Sequence, residues 1–241
     1  MSRTAPTRIL TVLILGVTLF LRQGGAAEPS KLILALGDDS YIAPEEAKAW
    51  TGAEVKKALE EHGLLEFAVV ILSNIPYGEL PAAVREGLPE FVSQGGSVLI
   101  TGGPNAYGSG GYKAVALLIP FEIRAEPDWK SGPFKPIIPL QPGHPVLQGV
   151  SFPPIGTFND VNPAPGATEI GQYAGGKLPS GQFIFQVPLI AERQVGQGTV
   201  LGVAFDLGRE MRAGWDGTRF VQNVLSYLAE RSTLTPKPQG N

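Results

Sequence analysis

"LITGGPNAYGSGGYKA", residues 99–114, leads from an apolar run into a loop holding five glycines before the chain turns apolar again. An apolar run that ends in glycines reads as a buried strand whose carboxyl end opens into a tight loop. The same grammar occurs twice upstream: "KLILALG" (31–37) closes on Asp38-Asp39, and "FAVVILSN" (67–74) closes on Ile75-Pro76. Between these strands lie helix-forming stretches. "APEEAKAWTGAEVKKALEEHG" (43–63) has acids in its first turns and Gly63 as a stop, and "LPAAVREGLPEFVSQGG" (80–96) contains Pro89, which is expected to kink or split it. Strands alternating with helices predict an α/β fold built on a parallel sheet covered on both faces.

The second half is written differently. It is rich in proline from Pro127 to Pro165, with short segments such as "FEIRAEP" and "KPIIPL" that suit strands but have no helices between them. Three further strands are predicted in "ATEIGQYA" (167–174), "FIFQVPLIAERQ" (183–194) and "GTVLGVAFDL" (198–207), the last two joined by a hairpin turn at Val195-Gly196-Gln197-Gly198. "GTRFVQNVLSYLAERS" (217–232) places Phe220, Val224, Leu225 and Leu228 on one helical face. The expectation is a flavodoxin-like, mostly parallel sheet with helices on both faces, plus a Pro-rich, β-containing second half ending in a hairpin and a C-terminal helix.

The amino terminus stands apart. Arg3 and Arg8 precede thirteen nearly unbroken apolar residues, Ile9–Leu21, followed by Arg22-Gln-Gly-Gly-Ala-Ala27, the layout of a signal peptide. The run is shorter than the ~20 residues of a membrane-spanning helix, so no stable membrane span is expected once it is cleaved. The domains are then a signal peptide at 1–27, one domain at 28–231 and a disordered polar tail at 232–241, with periplasmic or secreted localisation. An uncleaved N-terminal anchor is the alternative, since Arg22 is unusual so close to a cleavage site. The full chain has 19 basic and 22 acidic residues, net −3, and losing three arginines with the leader takes it to −6. A mildly acidic surface disfavours nucleic acid as a partner. There is no cysteine, which removes disulfides, thiolate nucleophiles and Cys-ligated zinc.

The loop after residue 101 fits no nucleotide motif. Gly103 to Gly108 has P-loop spacing, but Ser109 stands where lysine must reach the phosphates. A dinucleotide fingerprint needs a helix opening at the loop, and "GSGGYKAVA" offers at best a short one. Gly108-Ser109-Gly110 nearly spells a nucleophile elbow, yet the serine lies about eight residues past the strand's core rather than directly after it. Only two histidines exist. His62, at a helix end, reads as structural, and His144 is a weak candidate base for Ser109.

The stretch 77–123, with its Gly-Gly-x-x-x-x-Gly-x-Gly-Gly-Tyr core at 102–112, resembles the glutamine amidotransferase-like superfamily, in particular a cysteine-less branch found in bacterial membrane proteins beside von Willebrand A modules. Further matches are "HPVLQGV" (144–150), "FNDVNPAPGATEI" (158–170), "IAERQVGQGTVLGVAFD" (190–206) and Trp215, so the resemblance covers most of residues 31–230. Active members of the superfamily resemble one another in a Cys-His-Glu triad whose thiolate attacks the glutamine amide. This chain has no cysteine and no His-x-Glu pair near its last strands, and only Thr101 and Ser109 offer hydroxyls near the elbow. The resemblance therefore implies a pseudoenzyme, with no catalytic residue, no metal and no cofactor.

Ligands of a parallel sheet bind where loops leave the carboxyl ends of strands. Asp38, Asn74, Gly103, Asn105, Tyr107, Ser109 and Tyr112 are the candidate ligand-binding residues, a set of hydrogen-bonding groups and aromatic faces suited to a glycan or an envelope protein and not to an anion. The structural alternative is that the glycines serve only turns and close packing and the tyrosines cover the core. Asp38, Asp39 and Asp206 raise the question of a divalent cation, though such aspartates more often cap the next turn. A hydrolase using Ser109 or a metal at the same rim is the alternative function.

Overall fold

In the computed structural model, residues 31–59, 62–177, 180–181, 183–184 and 186–234 are described. The order is β1 (Leu32–Gly37), α1 (Pro44–Thr51), β2 (Glu54–Lys56), β3 (Phe67–Ser73), α2 (Ala82–Ser93), β4 (Ser97–Thr101), β5 (Phe121–Ile123), β6 (Trp129–Lys135), β7 (Ile137–Pro139), β8 (Ile155–Asn159), β9 (Val161–Pro163), β10 (Thr168–Tyr173), β11 (Gly176–Lys177), β12 (Phe183–Ile184), β13 (Val187–Val195), β14 (Gly198–Val203), α3 (Leu207–Arg212) and α4 (Thr218–Arg231). Eight strands form one sheet in the order β2-β1-β3-β4-β14-β13-β10-β7. The first five run parallel, and the last three each oppose their neighbour. This is the expected α/β architecture with a mostly parallel, flavodoxin-like sheet.

Every residue of β3, β4 and β14 is buried, as the unbroken apolar runs require when both faces are covered. The path from β1 through α1 to β2 moves one way across the sheet and that from β3 through α2 to β4 moves the other, so right-handed crossovers put these helices on opposite faces. α4 packs with α1 over β3, β4 and β14, burying Phe220, Val224, Leu225 and Leu228 as its periodicity predicts.

Several expectations change. The helix expected over 43–63 stops at Thr51, because Gly52 takes a left-handed conformation with φ +70° and the chain then pairs with the open edge of β1. That edge strand is Glu-Val-Lys, whose charges discourage pairing with another chain. α2 runs unbroken through Pro89. Proline leaves the carbonyl four residues back without its amide donor, and the Tyr77 hydroxyl supplies the missing bond to Arg85 O at 2.6 Å. α3, which sequence periodicity did not reveal, starts at Asp206, whose carboxylate accepts from Arg209 N at 2.8 Å. The expected hairpin is present, with Val195 paired to Gly198 and Gly196 at φ +59°.

The packed domain also continues past residue 231. Ser232 is buried and Thr233 N donates to Gly95 O at 3.1 Å, so residues 232–234 belong to the domain, not to the tail. The signal segment 1–27 and the tail beyond 234 lie outside the described residues. No helix among the described residues is long and apolar enough to cross a membrane.

Candidate functional site

The carboxyl ends of the parallel strands bring Asp38, Asn74, Gly103, Asn105 and Asp206 to one rim. Asn74 sits at its centre in a left-handed conformation, φ +45°. Its Oδ1 accepts from Asn105 N at 2.9 Å, and its Nδ2 donates to Asp206 Oδ2 at 3.2 Å, so one side chain ties together the ends of β3, β4 and β14. Beneath them, Tyr41, Ser73 and Thr101 share a buried hydroxyl chain, with the Tyr41 hydroxyl 3.1 Å from Ser73 Oγ, and Ser73 Oγ 2.8 Å from Thr101 Oγ1. Burial pushes the Tyr41 phenol up.

Two basic residues reach this rim that the sequence did not place there, both from α3. Arg212 donates to Asp38 Oδ2 and to Ser40 Oγ, each at 2.7 Å, and Arg209 donates to Thr157 Oγ1 at 3.0 Å. Burial pushes the Asp38 carboxyl up, but its bonds to Ser40 and Arg212 outweigh that and hold it below the ordinary value. The rim therefore carries two guanidinium groups beside its acids, where the sequence pointed to acids without a basic cluster.

Tyr107 and Tyr112 do not face outward. Both are fully buried. The Tyr107 hydroxyl donates to Ile100 O at 2.9 Å, the Tyr112 hydroxyl donates to Ile75 O at 3.0 Å, and the Tyr107 ring meets Phe121 edge-on at 5.3 Å. These rings peg the loop to the sheet and offer no face for stacking on a sugar, so the two tyrosines are corrected from ligand contacts to loop anchors.

Ser109 is exposed, and its position is set by Asp128, a fully buried residue in the Pro-rich half. Asp128 Oδ1 accepts from Ser109 N at 2.8 Å and from Ser109 Oγ at 3.0 Å, while Oδ2 accepts from Gly108 N at 3.0 Å and Asn159 Nδ2 at 3.1 Å. Asn159 in turn accepts from Gly103 N at 2.9 Å and donates to Gly103 O at 3.1 Å. Two side chains thus clamp both ends of the glycine loop. Three of the four donors are amides that fix the loop, which makes Asp128 a structural clamp, while its contact with Ser109 Oγ is the arrangement that the alternative hydrolase would need.

Neither histidine substitutes. His62 Nδ1 lies 3.3 Å from Glu66 Oε2. His144 Nδ1 accepts from Val146 N at 3.3 Å and its Nε2 lies 3.6 Å from Glu192 Oε1, so both its nitrogens are engaged away from Ser109. The three aspartates considered for a cation are engaged as well: Asp38 by Arg212, Asp39 by Lys57 at 2.6 Å, and Asp206 by Asn74 and the start of α3. Among the described residues no group of three His, Cys, Asp or Glu comes together in a way that could hold a metal ion.

Glu210 is only 9% exposed. Burial and the neighbouring charge of Asp206 raise its pKa above the ordinary 4.5, against an opposing pull from Arg209. A carboxyl that holds its proton more tightly folded than unfolded makes the fold less stable as pH rises from about its ordinary value. Glu210→Gln is therefore expected to raise the melting midpoint near neutral pH by about 1–2 °C, with the gain gone below the unfolded carboxyl's pKa. Melting curves of both proteins across that pH range check it, and a gain that persists in acid would contradict the charge argument.

No protein-family model matches the chain, and no curated protein matches it. Its fold is shared by solved structures. A cytoplasmic protein from Salmonella typhimurium is 18% identical, with a TM-score of 0.61 over 82% of this chain and 98% of its own. A ThuA-like protein from Bacteroides uniformis is 11% identical, with a TM-score of 0.57 over 89% and 98%. A cold-adapted β-galactosidase from Rahnella sp. R3 contains the same fold in 33% of its length, at 14% identity and a TM-score of 0.52 over 88% of this chain. At these identities the likeness is one of fold.

Proposed function

We propose that the protein is a non-catalytic, exported domain of the cysteine-less glutamine amidotransferase-like branch, and that it binds a partner at the cell envelope through the rim formed by Asp38, Asn74, Asn105 and Arg212. The observation that carries this reading is that both histidines are engaged away from Ser109. Ser109 Oγ, 3.0 Å from Asp128 Oδ1, is the one contact that favours the hydrolase alternative, but that carboxylate also holds three amide donors, and Thr101 is fully buried. The rim itself is polar and cross-linked by hydrogen bonds among Asn74, Asn105, Asp206, Asp38 and Arg212, which suits recognition. With Tyr107 and Tyr112 turned into the core, a protein segment fits this rim better than a sugar ring, because hydrogen bonds and charges remain while stacking faces do not.

Two measurements test it. Purified protein incubated with glutamine, simple amides and simple esters is expected to release no product beyond a Ser109→Ala control, and turnover that this substitution abolishes would establish the hydrolase instead. Expression of the full-length chain in a bacterial host is expected to give protein outside the cytoplasm whose first residue is Glu28. A cytoplasmic product with the intact amino terminus would remove the envelope from the reading.

A further inference from the structure

The Pro-rich half differs in charge from the rest of the protein. The full chain has more acids than bases, yet no Asp or Glu occurs in residues 129–159 or 170–191. The acids bordering the first of these stretches are engaged, Asp128 by the glycine loop and Asp160 by Arg124 at 2.8 Å. The lysines divide in the same way. Lys48, Lys56, Lys57 and Lys113 each pair with a carboxylate, and Lys31 donates to Ala229 O. Lys130, Lys135 and Lys177 make no ion pair among the described residues, and Lys130 donates only to the Pro127 carbonyl, at 3.0 Å.

These three lysines border one projecting ring. Phe134 is 73% exposed and lies over Gly156, where an added Cβ would come within 2.9 Å of it. Gly156 and Phe158 share one face of β8, and Phe158 is the register partner of Lys130, so Lys130 lies on the face that the ring covers. The register of β6 on β8 shifts between Ser131 and Lys135, an irregularity of the kind that re-aims a side chain. Just beyond the ring, Lys135 lies against β11: a Cβ on Gly176, the neighbour of Lys177, would meet Pro133 Cγ at 2.6 Å and Lys135 Cε at 3.6 Å.

We propose that this patch binds the surface of an anionic lipid bilayer, with the Phe134 ring in the interfacial layer and the three lysines against the headgroup phosphates. A projecting ring needs a medium that closes around it, and a bilayer does so without a preformed cavity. Cations with no carboxylate to give up direct their charge at the lipid, and their stems lie along the apolar layer while the ammonium groups stay wet. The acidic remainder of the protein is repelled by the same surface, which orients the molecule with this face down. The strand-end rim stays open in that orientation, because Thr157, which accepts from Arg209, alternates to the other face of β8 from Gly156. The inference therefore holds whatever the rim binds.

Co-sedimentation with phosphatidylcholine vesicles, with and without about 30% phosphatidylglycerol, tests it. Purified full-length protein as the cell produces it is expected to pellet with the anionic vesicles at low salt, to stay in solution with the neutral ones, and to be released by about 0.5 M NaCl. Lys135→Gln with Lys177→Gln is expected to weaken binding at least about tenfold, and Phe134→Ser by a similar factor. Lys48→Gln with Lys57→Gln removes the same charge at paired lysines and should bind as the wild type does. Phe134→Trp localises the contact, since its emission is expected to shift to the blue on anionic vesicles relative to the wild-type background, which attachment through the amino terminus alone would not produce. Equal binding to both kinds of vesicle, binding that survives the double lysine variant, or an unshifted Phe134→Trp emission overturns the proposal. Binding to soluble polyglutamate without binding to vesicles would overturn it too, and would assign the patch to an acidic protein.

Discussion

Asp128→Ala is expected to destabilise the protein by about 3–5 kcal/mol, lowering its melting midpoint by roughly 6–20 °C, because it strands donors in a dry site. The four donors that converge on this carboxylate come from Gly108, Ser109 twice and Asn159. Without it, the buried amide of Gly108 and one of the two N–H groups of the Asn159 amide have no acceptor, and the loop loses its hold on the Pro-rich half. Asp128→Asn is expected to rescue little. All four partners donate, so an amide of the same shape turns its own NH2 toward a donor. Ser109→Ala removes a single hydroxyl bond and should cost only about 0.5–1.5 kcal/mol. Thermal or denaturant unfolding of the three variants separates these cases. A near-neutral Asp128→Asn would show that shape, not acceptance, holds the loop.

Gly37→Ala should be comparably severe, about 3–5 kcal/mol, since it combines overpacking against backbone with a left-handed residue that alanine disfavours. Gly37 sits at φ +90°, where an added Cβ would overlap the Ser73 carbonyl oxygen and come within 2.9 Å of Ile75 Cβ. That carbonyl accepts the Asp38 amide at 2.8 Å, so the clash falls on the junction that sets the first loop of the rim. Expected with it is a loss of the Arg212–Asp38 pair, visible as a shift of the Asp38 carboxyl back toward its ordinary pKa in an NMR titration. A variant that melts like the wild type and keeps that pair would mean that β1 and β3 can separate at no cost, contrary to the packing described.

The two halves of the protein were unequally legible. β1, β3, β4, the hairpin and α4 are written locally, as runs of apolar residues at period one or four closed by glycines, and each formed where the pattern placed it. β2 was not legible, because Glu54-Val55-Lys56 has no strand pattern and pairs only because β1 offers an open edge. The rim was legible in part. Asp38, Asn74 and Asn105 meet because they follow parallel strands, and that follows from topology. The clamp was invisible, since Asp128 and Asn159 lie 20 and 56 residues from Gly108 and Gly103 in sequence and nothing in a proline-rich stretch marks them.

By itself, the sequence determined the fold class and the absence of a thiolate: hydrophobic periodicity is local, and a residue type that is missing cannot be supplied by folding. Only the tertiary structure decided which way the tyrosines turn, which carboxyl Ser109 meets and that α3 brings arginines to the rim. Those outcomes depend on which distant segments reach the same space, and a tyrosine or serine is chemically equipped to face either water or the core.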